Sequence, residues 1–483
     1  MTSRAALTPL AALGAALAGC TVGPNYHGPP PAPPAGPAFL RSSGDTQAAP
    51  PPARWWTELK DPVLDRLIET ALQSSPQIEV AIARVREARE QLAGERAKEM
   101  PTTGASAAYL RTHNLTAALG AEPSGGSSDS NIYAVAFDAS WEVDLFGAHR
   151  RAVEGAAASL QGTRASLHDA QVSLSSEVAQ AYIELRDSQE RARLVRDNVD
   201  IEERRVRLVE QRRERGTASE LDVAQVKSDL DGAQASLAPL RSEALIEMNR
   251  LAILTGRAPG AIDGDLEVLA AVPLPPEHLP IGDPASLLRR RPDIMVAERK
   301  LAQDTAAVGE DVAALFPKLT LLGDVGFAAP SPHALFEGAS FTYVAAPLLQ
   351  WTPFDFGRNR SRIRQARVTR DEAEADYRRT VLAALEDAES SLARYGEQRN
   401  TVAELAAVRA SAQRIDALTE TRRRNGTAST LDILDADSKR VQAEIDYEQA
   451  LADLSTDFVA LQKSLGLGWI DSTEGGPADP RIL

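Results

Sequence analysis

The sequence predicts a membrane α+β fold: two copies of one unit in which amphipathic β-strands alternate with very long α-helices. Three observations predict it. A ten-residue stretch recurs 210 residues downstream. Residues 132–143 and 340–351 alternate apolar and polar side chains with the period of two that a strand imposes. Residues 148–215 and 358–425 hold no Pro and little Gly, far longer than the helices of an ordinary domain.

Composition narrows the function. Lys plus Arg is 53 against 68 Asp plus Glu, a net charge of −15 over 483 residues. Such acidity argues against nucleic acid, which is held by cationic contacts to phosphate. The single Cys excludes intrachain disulfides and thiolate metal clusters. The six His (His27, His113, His149, His168, His278, His333) form no H-x-x-x-H pair. Neither a nucleophile elbow, a P-loop nor a dinucleotide fingerprint occurs. No catalytic residue, metal or cofactor is therefore expected.

The N-terminus reads as an address. Arg4 is a short basic region, Ala5 to Ala18 is too short and too broken by Thr8 and Pro9 to span a bilayer, and Leu17-Ala18-Gly19-Cys20 follows. This resembles a bacterial lipobox, in which residues 1–19 are removed and Cys20 is lipidated. A secretory signal with an incidental Cys reads the same way. Thr21 is not the Asp that retains such lipoproteins in the inner membrane, so the outer membrane is favoured. Residues 24–52 hold ten Pro, and 20–54 is expected to be a lipidated N-terminus and an extended or flexible Pro-rich tether.

The repeat sets the organisation. Arg213 to Asp222 matches Arg423 to Asp432, and Trp141, Phe146 and Gly147 match Trp351, Phe356 and Gly357 at the same offset. Upstream, Pro76 and Met100-Pro101 match Pro292 and Phe316-Pro317 at an offset of 216. Repeat 1 is placed at 55–257 and repeat 2 at 283–466, with a Pro/Gly-rich linker at 258–282 and a tail at 467–483.

Strands are expected at about 102–111, 131–143, 318–327 and 340–351. Tyr133, Val135, Phe137, Ala139, Trp141 and Val143 point one way, as do Leu319, Leu321, Val325 and Phe327, then Phe341, Tyr343, Ala345, Leu349 and Trp351. The reverse face carries Asp138, Glu142 and Asp324, among others. An apolar face with aromatics near both ends is how a membrane strand reads, though a half-buried soluble strand has the same period. Four strands cannot close a barrel, and an open edge is not tolerated in lipid. In a membrane, several chains must share one barrel; three would give twelve strands.

Long helices are expected at about 148–215 and 358–425, with return helices at about 219–256 and 429–465. Small or apolar residues recur every 3 and 4 positions from Leu174 to Val209, a coiled-coil seam with Glu202 as its one polar miss. Sixty-eight residues reach about 100 Å. Pro239, whose counterpart is Gln449, should kink the first return helix.

With Cys20 to Tyr26, Trp55-Trp56, Asp61-Pro62-Val63-Leu64, Leu288 to Ile294 and both Gly-Thr-Ala-Ser turns in order, the chain resembles the TolC-type outer-membrane efflux channels, in the lipoprotein (NodT-like) branch serving resistance-nodulation-division pumps. The resemblance implies a homotrimer whose outer-membrane β-barrel, four strands per protomer, continues as a long periplasmic α-helical barrel. It also implies a periplasmic adaptor (membrane fusion protein) and an inner-membrane pump as partners, export of drugs or toxic compounds, and no catalysis.

The turns have two readings. Gly216 and Gly426 close one helix, and Ser219 with Asp222 and Ser429 with Asp432 form capping boxes for the next. Functionally, the resemblance places Leu431, Asp432 and Asp435 at a closed periplasmic aperture and Asp222 in ties between neighbouring hairpins. It places Gly216, Thr217, Ser219, Gly426, Thr427 and Ser429 where an adaptor docks. Relatives carry a basic or aromatic residue where Ala428 stands, so part of the tie network is expected to be missing. Two alternatives stay open: a channel for type I secretion or heavy-metal export, and a lipid-anchored periplasmic coiled-coil scaffold without a pore.

Overall fold

The computed structural model describes residues 21–31, 36–42, 44, 46–47, 49–113 and 129–469. The expected signal segment, Cys20, most of the loop 113–130 and the tail from 470 lie outside the described residues. In chain order the elements are β1 (Thr46–Gln47), α1 (Pro62–Ser74), α2 (Pro76–Ala97), β2 (Thr102–His113), β3 (Asp129–Val143), α3 (Ala148–Glu214), α4 (Glu220–Leu254), β4 (Leu279–Pro280), α5 (Pro284–Arg290), α6 (Pro292–Ala313), β5 (Lys318–Ala329), β6 (Phe341–Gln350), α7 (Arg358–Arg424) and α8 (Thr430–Ser464). The repeat is exact in length for most elements: α3 and α7 have 67 residues each, α4 and α8 have 35, α2 and α6 have 22. α4 continues through Pro239 without a break.

The chain divides into two compact units, and each repeat contributes to both. One, from residues 1–30, 86–162 and 297–377, bears the large sheet; the other, from 31–85, 163–296 and 378–483, is helical.

The sheet is antiparallel with strand order β2-β3-β5-β6. Directly paired residues share a face, so the register sorts the side chains. Tyr133 pairs Tyr109 and Ala329, Phe137 pairs Val325, Val325 pairs Tyr343, Trp141 pairs Leu321, and Val143 pairs Leu319. These build one continuous apolar face. The reverse face is mixed: it carries Asp138 opposite Asp324 and Glu142 opposite Thr320, but also Leu322, Val344 and Leu348. Trp141 Nε1 donates to the Glu99 carbonyl at 2.9 Å, tying β3 to the approach to β2.

The N-terminal motif is seated in this unit. Val22 N–H donates to the Phe146 carbonyl at 3.1 Å. Arg151, 3% exposed, donates to the carbonyls of Val22 and Gly23 and, at 2.6 Å, to Asn25 Oδ1. Gly23, at φ +87°, faces Gly309; a Cβ on it would lie 2.5 Å from the Gly309 Cα, so the segment lies flush only because both positions lack a side chain. Tyr26 donates to Glu298 at 3.1 Å.

In the helical unit, α1 starts at Asp61, whose Oδ1 accepts from the Val63 and Leu64 N–H groups, with Pro62 at the first helical position. Its other oxygen accepts from Tyr182 on α3 at 2.8 Å. Trp55, Trp56, Tyr182 and Phe458 are buried, and Trp55 meets Phe458 edge-on at 5.9 Å. Along α3 the expected seam is buried at Leu174, Val178, Ala181, Leu185, Ser188, Ala192, Val195, Val206 and Val209. Glu202 is buried in line with them: Arg205 pairs with it, and the Ser438 hydroxyl on α8 is shared between it at 3.1 Å and Asn198 Oδ1 at 2.8 Å. A satisfied carboxylate can occupy a seam position that an unpaired one could not.

The Pro-rich stretch differs from a free tether. Phe39 is 4% exposed, the Leu40 and Arg41 N–H groups donate to the Glu389 carboxylate, and β1 pairs in parallel with β4. Prolines hold such a segment extended, and the Leu40 and Arg41 N–H groups find their acceptor in Glu389. The linker is likewise fixed: buried Arg186 donates to the carbonyls of Leu266 and Val268, and Ser455 to that of Pro273. At the C-terminal end, Leu467 is buried and the Trp469 ring stacks on His168 at 4.2 Å.

Candidate functional site

Two surfaces could carry a transport function: the sheet and the paired helical turns. On the apolar face of the sheet, Tyr109, Phe137, Tyr343, Leu349 and Trp351 are all more than half exposed. From Tyr133 to Trp141 is eight residues, about 27 Å along the strand and ~21 Å at a barrel tilt of 40°. Aromatics thus bracket a band close to the height of an outer-membrane hydrocarbon layer. On the reverse face, the Asp138 carboxylate occupies the space over Gly104, where a Cβ would come within 2.7 Å of it. Gly104 therefore lets two paired aspartates coexist. Among the described residues, no helix is long and apolar enough to cross a membrane.

The two turns share their closing and capping bonds. Gly216 at φ +73° and Gly426 at φ +74° donate to Arg213 O and Arg423 O, while Thr217 N and Thr427 N donate to Arg212 O and Arg422 O, all at 2.8 Å. This is a Schellman closure, and glycine is what allows the left-handed residue. The Thr217 and Thr427 hydroxyls add a second bond to the same carbonyls. Then Ser219 and Ser429 cap α4 and α8: each Ser hydroxyl accepts from the Asp N–H three residues on, and each Asp Oδ2 accepts from the Ser N–H at 2.7 Å. The capping Ser N–H groups hold the Asp222 and Asp432 carboxyls below the usual carboxylate range. Capping thus engages both acids.

Asp435 lies one turn further on, half-exposed, and accepts from Lys439 Nζ at 2.8 Å. Leu431 packs against a small apolar cluster of Val206, Val209, Val223 and Val226 on α3 and α4, whereas its repeat counterpart Leu221 is 76% exposed. The structure thus brings Leu431, Asp432 and Asp435 together on the first turns of α8 and sets Leu431 against the neighbouring hairpin. Cys20 is outside the described residues, but Thr21 beside it rests on Gly147.

Sequence reasoning did not find Arg151, Glu298 or Gly309. Their signal was indirect, in the order of residues from Val22 to Tyr26 that they hold. Arg291 entered only as part of a motif; it pairs with Asp293 and Asp387 and donates to the Ser464 carbonyl, so it ties α5, α7 and α8.

Comparison with known proteins gives one consistent result. The family model described as outer membrane efflux protein matches residues 67–257 and 284–467, two segments that follow the repeats. The toluene efflux pump outer membrane protein TtgF of Pseudomonas putida is 30% identical over 478 residues, covering 95% of this chain and 96% of that one. The pyoverdine export outer membrane protein OpmQ, also of Pseudomonas putida, is 31% identical over 448 residues, covering 91% and 92%. The solved outer-membrane channel OprN superposes with a TM-score of 0.85 at 33% identity, covering 93% of this chain and all of that one.

Proposed function

This chain belongs to the outer membrane efflux protein family, and from that premise we propose that it is the outer-membrane exit duct of a tripartite efflux pump. As a homotrimer it forms a twelve-stranded barrel in the outer membrane and an α-helical conduit in the periplasm. Small molecules cross it passively, driven by an inner-membrane pump and admitted by a periplasmic adaptor. Cys20 carries the lipid.

One observation carries this reading. The sheet has two outer strands, β2 and β6, and an aromatic-bracketed apolar face of membrane height. In water that face would aggregate; in lipid it is satisfied once the edges close between copies. The seating of Thr21 on Gly147, beside the foot of β3, supports lipidation of Cys20, because a lipid there would enter the bilayer next to the strands.

The turns supply the gate. Three copies of Asp435 and Asp432 make rings of carboxylates that attract cations and narrow the passage, with Leu431 as the apolar constriction. The adaptor docks at Gly216, Thr217, Ser219, Gly426, Thr427 and Ser429 and draws the hairpins apart, with Asp222 among the ties that it breaks. Planar-bilayer recording tests this. Asp432→Ala/Asp435→Ala channels should conduct several-fold more than the wild type and lose block by divalent cations. Equal conductance and equal block would refute the gate.

A further inference from the structure

Residues 358–370 open α7 soon after β6 ends, and they carry six arginines and no acid; the first carboxylate is that of Asp371. Helix physics is against this run. The start of a helix is the positive end of its dipole, which disfavours cations, and α7 has no acid in its first turn to offset them. Arg360 and Arg364 stand four residues apart, a spacing at which like charges repel.

Three of the six have partners within the chain. Arg358 donates to the Asp355 carbonyl at 3.4 Å, Arg362 lies 3.3 Å from Asp311, and Arg370 pairs with Asp371. Arg360, Arg364 and Arg367 are exposed, and among the described residues they make no hydrogen bond or ion pair. Spaced at i, i+4 and i+7, they share one face of α7, away from the buried Ile363, Ala373 and Tyr377.

The first repeat shows that the fold does not need this stripe. At the offset of 210, Arg150, Glu154 and Ala157 stand where Arg360, Arg364 and Arg367 do. Arg150 there has an acid, Asp144, at 3.3 Å. The counterpart of Asp144 is Phe354, so the second repeat has exchanged the acid that would neutralise Arg360 for an aromatic ring. Phe354 is 85% exposed, and Trp351 and Phe356 beside it are exposed as well.

We propose that Arg360, Arg364 and Arg367 bind the phosphate groups of anionic phospholipids on the periplasmic side of the outer membrane, with Phe354 in the same interface. This deepens the reading of a membrane barrel and rests on it. Trp351 ends the aromatic-bracketed face of β6, and α7 begins seven residues later. From Arg358 to Arg367 is about 14 Å of helix. A headgroup layer is about 5–8 Å deep, and its charge is felt for about 8 Å more at physiological salt, so the stripe stands within that field. Guanidinium matches phosphate through paired hydrogen bonds. A lipid surface fits better than a soluble anion, because it accepts the exposed rings along with the charges.

Lipid retention tests this. The full chain, purified in detergent, is equilibrated with equal amounts of phosphatidylglycerol and phosphatidylcholine, and the lipids retained are counted by native mass spectrometry. The wild type should prefer phosphatidylglycerol, less so in raised salt. Arg360→Gln/Arg364→Gln/Arg367→Gln should lower that preference at least about fivefold, and the triple Arg→Lys variant should keep part of it. Phe354→Asp, which gives Arg360 the acid that Arg150 has, should lower it about twofold or more, and it decides alone if the triple Gln variant does not fold. An unchanged preference in the folded Gln variant overturns the assignment, as does a wild type with no preference. Displacement of phosphatidylglycerol by millimolar inorganic phosphate makes the stripe a soluble-anion site and overturns the lipid. A Gln variant that falls into single chains in either lipid shows that the arginines hold a neighbouring copy, which also overturns it. All these failures leave the barrel standing. A wild type that binds neither lipid and stays soluble without detergent overturns the barrel and the proposed function with it.

Discussion

Asp432 and Asp222 show at single-residue scale what a capping box does to an acid. Each carboxylate accepts the N–H of its capping serine, which depresses its pKa. A depressed folded pKa means that the cap's contribution is present above the ordinary carboxylate range near ~4 and fades as pH falls through the folded value. Amide exchange at Ser219 and Ser429 should therefore be constant, after correction for intrinsic rates, from pH 7 to 5 and accelerate only in more acid solution. Asp432→Asn should keep part of the protection and Asp432→Ala none. If Asp432→Ala leaves exchange at Ser429 unaltered, capping is not what holds this acid. Arg151 makes a second residue-scale case. Its removal leaves two backbone carbonyls and Asn25 without their donor, so Arg151→Ala should loosen the N-terminal segment by about 1–3 kcal/mol, read as faster exchange at Val22. Gly309→Ala should act in the same direction, because a Cβ there would fall 2.8 Å from Arg151 Cδ.

At the scale of elements, the long helices and the strands were legible because each repeats a simple period over many residues: 3 and 4 from Leu174 to Val209, two from Tyr133 to Val143. The turns were legible because Gly-Thr-Ala-Ser carries its own hydrogen bonds, and these recur in both copies. What a period cannot carry is a contact between distant segments. The docking of Phe39 and Leu40 depends on Glu389, some 350 residues away, and a run of prolines gives no hint of it. Glu202 reads as a defect in the seam until Ser438 supplies its donor. The difference between Leu431 and Leu221 was hidden for the same reason: the two turns are alike in sequence, and only the packing of α8 on α3 and α4 separates them. That asymmetry is measurable. Leu431→Ala removes packing and should destabilise the first turns of α8 by about 1–2 kcal/mol, whereas Leu221→Ala at an exposed site should change α4 by less than about 0.5 kcal/mol. Site-resolved hydrogen exchange in the two helices decides it, and equal effects would mean that the Val206–Val226 cluster does not hold Leu431.

For the whole molecule, two attachments to the outer membrane can be told apart: the lipid proposed on Cys20 and the sheet. A closed barrel with an apolar band needs no lipid at all, since withdrawing it would expose aromatics such as Phe137 and Tyr343 to water. The two sources of attachment part company in Cys20→Ser with the signal segment otherwise intact. If the strands lie in the bilayer, the variant chain should stay in the outer-membrane fraction through washes with alkaline carbonate or high salt, and leave it only with detergent. A pore-free periplasmic scaffold held by its lipid would be released by the first wash. Release would also remove the ground for reading the apolar face as lipid-facing, because the same alternation would then serve a half-buried sheet in water.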